Sequence, residues 1–231
     1  MARNKNLEEY LFEKMERNSN RNQRRKGNSK KDKGWVVKND RPEEYLGNPH
    51  FYYTDEEVEQ YARSGGMRRA QEKIAYRVLE LLELEPGKSL LDVGSGPGYT
   101  ADVYRSEGYN VTCMDLIPKM IDKAKEKEFE AYVGDMRDIE KLFEGRKFDG
   151  VVSVSALQWI KDKQEIERVA QGIYSVLSKD GPLVVQFYPK SEQELKETAS
   201  VFTQNGFHGQ IITDWPDIPK NRTTYLVMKR D

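Results

Sequence analysis

A single cysteine, Cys113, in 231 residues excludes an intrachain disulfide and any zinc site built from several cysteines. Histidine is almost as scarce. His50 and His208 lack the close spacing of metal ligands and read as ordinary loop or surface residues, so no metal is expected. No apolar run approaches the roughly 18 residues that a membrane-spanning helix needs. The opening MARNKNLEEY is charged where a secretory signal has an apolar core. Together these absences suit a reducing cytoplasm with no membrane partner.

Charged residues make up 33% of the chain and hydrophobic ones 37%. The net charge of −1 conceals an asymmetry. Residues 1–41 hold 13 Lys/Arg against 6 Asp/Glu, net +7, and the rest holds 25 against 33, net −8. The basic residues crowd into Arg17–Lys33, a stretch rich in Asn, Ser and Gly with no apolar periodicity. Such a segment stays largely flexible in isolation. It serves either as an arm that gains by releasing counterions from nucleic acid or as a solubilising tail. A short amphipathic helix over residues 7–17 precedes it, from Leu7, Tyr10, Leu11 and Met15. Residues 42–67, with their Pro, Gly and clustered aromatics, read as an irregular lid or substrate segment.

From Arg68 the pattern becomes regular. Arg68–Leu84 has helical spacing of Ile74, Val78, Leu81 and Leu82. Apolar strands at Ser89–Val93, Asn110–Met114, Glu130–Val133, Phe148–Val154 and Leu183–Tyr188 then alternate with helices at Tyr99–Glu107, Pro118–Lys127, Asp162–Leu177 and Glu192–Asn205. Two late strands, Gly209–Asp214 and Thr223–Lys229, are joined by a loop. Strand–helix alternation predicts an α/β fold of Rossmann-like type over residues 68–231: a seven-stranded, mostly parallel sheet with helices on both faces and an antiparallel hairpin at one edge.

The first strand ends in Asp92-Val93-Gly94-Ser95-Gly96-Pro97-Gly98, followed at once by a helix. The glycines let the backbone turn tightly and let a ligand approach. An acid two residues before the first glycine is of no use to a pyrophosphate. It suits the ammonium of a methionine moiety, and hence S-adenosyl-L-methionine. The second strand ends at Asp115-Leu116, the position of an acid that holds ribose hydroxyls. After the third come Gly134-Asp135-Met136, where the acid can accept adenine amino hydrogens and the apolar neighbour can pack on the ring. Ser153 lies in the fourth strand. The cofactor-binding set is therefore Asp92, Gly94, Ser95, Gly96, Gly98, Asp115, Leu116, Asp135, Met136 and Ser153.

The acceptor is expected beyond the fourth strand, at Ser155, Gln158 and Trp159. Gln158 would hydrogen-bond an edge of the acceptor. Trp159 would either stack on it, as aromatic platforms do on a base, or cap the core over the following helix. Tyr188 and Pro189 form a far wall or simply pack, and Tyr61 and Arg69 form a lid or serve structure alone. No residue is assigned as a general acid or base.

Over residues 68–231 the chain resembles the class I methyltransferases. Within them it is similar to the small-subunit rRNA guanine-N7 methyltransferases of eukaryotes and archaea. The likeness rests on Arg41-Pro42-Glu43-Glu44 with Phe51-Tyr52-Tyr53, on Arg77–Leu82, on Ser153–Trp159, on Gln186–Lys190 and on Lys220–Met228. Family members often carry Cys where Ser95 stands, and the eukaryotic ones carry their basic tail at the other terminus. The resemblance implies methyl transfer to guanine N7 of small-subunit rRNA, linked to ribosome biogenesis. It also implies a small zinc-containing activator protein that pairs with the sheet edge near Glu130–Gly134. Guanine N7 has a free lone pair at neutral pH, which fits a site without a base. The alternatives are a methyltransferase acting on a small molecule or protein, and a cofactor-binding ribosome-assembly factor.

Overall fold

The computed structural model describes residues 42–218 and 221–231. The helix expected over residues 7–17 and the basic arm lie outside them.

Seven strands form one sheet: β1 (Ser89–Val93), β2 (Asn110–Asp115), β3 (Glu130–Val133), β4 (Gly150–Val154), β5 (Pro182–Phe187), β6 (Phe207–Asp214) and β7 (Thr223–Arg230). Their order is β3-β2-β1-β4-β5-β7-β6. The first five pair in parallel, and β7 inserts antiparallel between β5 and β6. This is the expected Rossmann-like sheet with its antiparallel hairpin. The central strands are short and closed off from solvent: every residue of β4 and of β5 is buried, as sheets covered on both faces require. The expected strand from Phe148 begins only at Gly150, because Phe148 makes an isolated bridge to Leu177.

The segment over residues 42–63 is not irregular. It forms three short helices, α1 (Pro42–Tyr45), α2 (Pro49–Tyr52) and α3 (Asp55–Arg63). Local capping explains the second and third. Asn48 accepts the amide of His50 at 3.0 Å, and Thr54 accepts that of Glu57 at 3.4 Å. The long helix α4 (Gly65–Leu82) likewise starts three residues before the expected Arg68, because Ser64 Oγ accepts the Met67 amide at 3.2 Å.

Helices α4 and α5 (Tyr99–Ser106) cover one face of the sheet, packing Ala75, Val78, Leu82 and Tyr104 on Leu90, Val152 and Val184. Helix α6 (Pro118–Glu126) closes β2 and β3 with Ile121 and Ala124. On the other face α7 (Ile139–Leu142), α8 (Lys163–Val176) and α9 (Glu192–Gln204) bury Ile139, Ile173 and Phe202 against Leu91, Val151 and Val185. Burying each such side chain stabilises the fold by roughly 1.5–3 kcal/mol. The strand order reverses between β1 and β4, so the crevice beyond their carboxyl ends is the place for a ligand.

Candidate cofactor and acceptor site

A cleft of about 1400 Å³ opens at that switch point. Its floor is the β1–α5 loop. The Gly94 and Ser95 amides both donate to the Met114 carbonyl (2.8 and 3.0 Å), which ties the loop to β2. Gly94 has φ +76°, and a Cβ there would lie 2.3 Å from the Ala156 Cβ. Only glycine allows the loop to pass so close to the turn after β4.

Asp92 has no exposed surface and lies beneath the loop rather than in the cleft wall. Thr100 Oγ1, from the first turn of α5, donates to its Oδ2 at 2.6 Å, while Oδ1 is buried without a hydrogen-bond partner among the described residues. Burial pushes its carboxyl pKa up to about 7, with Asp115 adding to the rise and the Thr100 hydrogen bond opposing it.

Asp115 borders the cleft at the end of β2. It accepts the Gly96 amide on Oδ2 and the Ile117 amide on Oδ1, each at 2.9 Å. Desolvation raises its pKa and these backbone donors oppose the rise. Each carboxylate oxygen keeps a second lone pair for a ligand hydroxyl.

Asp135 behaves oppositely. Burial alone would raise its pKa, but the Arg137 guanidinium grips both oxygens (2.9 and 2.5 Å) and brings it below the ordinary value. Arg137 also reaches Glu165 of α8 at 2.5 Å. Neither Arg137 nor Glu165 was visible as a site residue in the sequence, although both line the cleft. Met136 approaches the loop: its Cε would be 3.9 Å from a Cβ on Gly94.

Of the residues singled out from sequence, Gly94, Ser95, Gly96, Asp115, Leu116, Asp135, Met136, Tyr61, Ser155, Gln158, Trp159 and Tyr188 come together around the cleft. Asp92, Gly98, Ser153, Arg69 and Pro189 do not line it. Ser153 is buried in β4 and donates to the Val93 carbonyl at 2.8 Å, which locks β4 to β1.

Helices α2 and α3 roof the cleft with an aromatic chain. Trp159 lies 5.9 Å from Tyr53 and 6.2 Å from Tyr52, so its ring meets the roof rather than standing alone over α8. Tyr53 meets Tyr61 edge-on at 6.2 Å, and Tyr61 stacks on Tyr99 at 5.9 Å. The Tyr99 hydroxyl donates to the Tyr61 carbonyl at 2.9 Å. Burial raises the Tyr53 and Tyr61 pKa values, so both phenols stay neutral. Tyr52, Tyr53, Tyr99 and His50, which also lines the cleft, escaped the sequence reading as site residues. The Phe51-Tyr52-Tyr53 run and the Thr54/Glu57 capping pair were the signals for them.

These residues fit S-adenosyl-L-methionine. A loop with no room for a Cβ at Gly94, a carboxylate below it whose Oδ1 has no partner among the described residues, and acids at the ends of β2 and β3 would suit an ammonium, a ribose and an adenine in turn. When bound, that group supplies an electrophilic methyl carbon on a sulfonium. The loop and Asp115 would align that group, and the aromatic roof would exclude water from it. Fold and site together define an S-adenosylmethionine-dependent methyltransferase.

A family model described as a methyltransferase domain matches residues 91–185. The chain belongs, more narrowly, to the 18S rRNA guanine-N7 methyltransferase family. It is 33% identical over 191 residues to the 18S rRNA (guanine(1575)-N(7))-methyltransferase of Saccharomyces cerevisiae, covering 77% of this chain and 68% of that protein. The 18S rRNA (guanine-N(7))-methyltransferase of Mus musculus is 32% identical, over 80% of this chain and 70% of that protein. Among solved structures, magnesium protoporphyrin IX methyltransferase from Synechocystis, with S-adenosylmethionine bound, shares the fold. Its TM-score is 0.60 at 16% identity, over 84% of this chain and 100% of that one.

Proposed function

We infer that this chain transfers a methyl group from S-adenosyl-L-methionine to N7 of a guanine in small-subunit rRNA, as a step of ribosome biogenesis. The observation that carries the reading is continuous similarity, over about four-fifths of the chain, to enzymes named for that reaction. The chemistry of the cleft agrees. Guanine N7 needs no proton removed, so a site that orients a base between a glycine loop and an aromatic roof is sufficient. The test is methyl transfer from labelled cofactor to immature small ribosomal subunits, followed by nucleoside analysis. Label in 7-methylguanosine that disappears in Asp92→Ala supports the reading. Label in a different nucleoside overturns the N7 assignment.

Two partners follow from this reading. The basic stretch Arg17–Lys33 would hold rRNA phosphates and so supply affinity rather than base choice. The free edge of β3 would receive the small zinc-containing activator by strand addition. In its support, β3 is the terminal strand of the sheet and Val133 on it is 46% exposed. Among the described residues no helix is long and apolar enough to cross a membrane, and we place the activity in the cytoplasm.

A further inference from the structure

The acceptor end of the cleft rests on a turn held against its own backbone preference. Ser155 follows β4 with φ +56°, in the left-handed region that non-glycine residues avoid. One residue of β5 holds it there. Gln186 accepts the Ser155 amide on its carbonyl at 2.9 Å and the Ser155 hydroxyl on its side-chain oxygen at 2.8 Å. Gln186 has no exposed surface, and the β4–β5 register sets it opposite Val154. The turn runs straight into a single 3-10 turn, Leu157–Trp159, pinned by buried Leu157. Gln158 and Trp159 therefore stand on a base fixed by the sheet.

Gln158 lines the cleft, yet its Oε1 is buried and, among the described residues, has no hydrogen-bond donor. Folding does not require such an oxygen, because a buried acceptor left unpaired is a standing cost. A donor from the substrate removes that cost. Guanine and adenine both offer an N7 lone pair, so the reacting atom does not tell them apart. They differ on the other side of the ring. Guanine presents donors at N1 and at its N2 amino group, whereas adenine presents an acceptor at N1. A fixed acceptor facing that edge pairs with guanine and is left stranded by adenine.

We propose that Gln158 determines base choice: its Oε1 accepts from the N1–H and N2-amino edge of the target guanine, with Ser155 and Gln186 as positioning residues. This rests on the guanine-N7 reading above. Three variants of the full-length chain test it on small ribosomal subunits lacking the methyl group. Gln158→Met keeps the side-chain length and removes the acceptor. It is expected to lower kcat/KM for 7-methylguanosine formation roughly tenfold to hundredfold, with the equilibrium Kd for S-adenosylmethionine within about twofold of the unmodified chain. Gln158→Glu, which can only accept, recovers most of that loss. Gln158→Lys, which can only donate, does not. Equal losses in the Glu and Met variants overturn the proposal, as does a Met variant within about twofold of the unmodified chain or one that loses cofactor affinity in step with activity. An unmodified chain that forms no 7-methylguanosine overturns the functional reading and this inference with it, which separates that failure from a failure of Gln158 alone.

Discussion

Asp92 shows how one residue couples the fold to its ligand. Its carboxyl binds a proton more tightly in the folded chain, where its pKa is about 7, than in the unfolded chain, where it is near 3.8. The stability this proton contributes is present at the acid end and is lost as pH rises through about 7, above which the buried charge opposes folding. Asp92→Asn therefore raises the melting temperature of the cofactor-free protein at about pH 8 and leaves it nearly unchanged at about pH 4. A cation bound above the loop favours the carboxylate. Calorimetry should find S-adenosylmethionine affinity rising between about pH 6 and 8 in the unmodified chain, and weaker and flat with pH in Asp92→Asn. Gly94 is constrained by space as well as by φ. In Gly94→Ala the new Cβ would meet the Ala156 Cβ at 2.3 Å. Urea denaturation is expected to show a loss of about 2–4 kcal/mol, with cofactor binding abolished.

Helix α3 is the element that makes the cleft a closed site. Val58, fully buried, packs on Ile117 and Met120 beside Tyr53 and Tyr61. Around that apolar patch, Glu59 meets Lys123 at 3.2 Å and Lys119 at 3.6 Å. These ion pairs lie near the surface and add little, so the apolar packing carries the docking. Val58→Ala should weaken it by about 2 kcal/mol. Hydrogen exchange would then quicken in residues 42–63 while β1, β4 and β5 keep their protection; uniform quickening would mean that the roof and the sheet unfold together. Strand β3 is the element at one edge of the sheet. Its outer face is held by Arg146, which reaches Glu130 at 2.6 Å and draws that carboxyl pKa down to about 2. Its Val133 remains exposed. Val133→Asp should leave the melting temperature within a few degrees of the original yet prevent co-purification with the proposed zinc-containing activator.

For the molecule as a whole, charge and shape divide the work. The domain beyond residue 41 carries net −8, so its surface repels RNA on average, while residues 1–41 carry net +7. Removing residues 1–41 should flatten the slope of log affinity for rRNA against log salt by roughly 0.7–0.9 for each phosphate the arm neutralises, and leave cofactor affinity unchanged. An unaltered salt slope would assign the arm to solubility. The sequence by itself determined the sheet, the glycine loop and the acids at the ends of β1, β2 and β3. Those signals are local: short apolar runs, a turn that demands glycine, and residues adjacent in the chain. The short helices of the roof were also written locally, in the caps at Asn48, Thr54 and Ser64, but the Pro, Gly and aromatic content of that segment masked them. Only the tertiary structure decided that Asp92 lies under the floor, that Ser153 bonds across to β1, that Arg137 reaches Glu165 of α8, and that Tyr52, Tyr53 and Trp159 face one another. Each of these depends on which strands and helices become neighbours, a long-range outcome of packing that no spacing along the chain encodes.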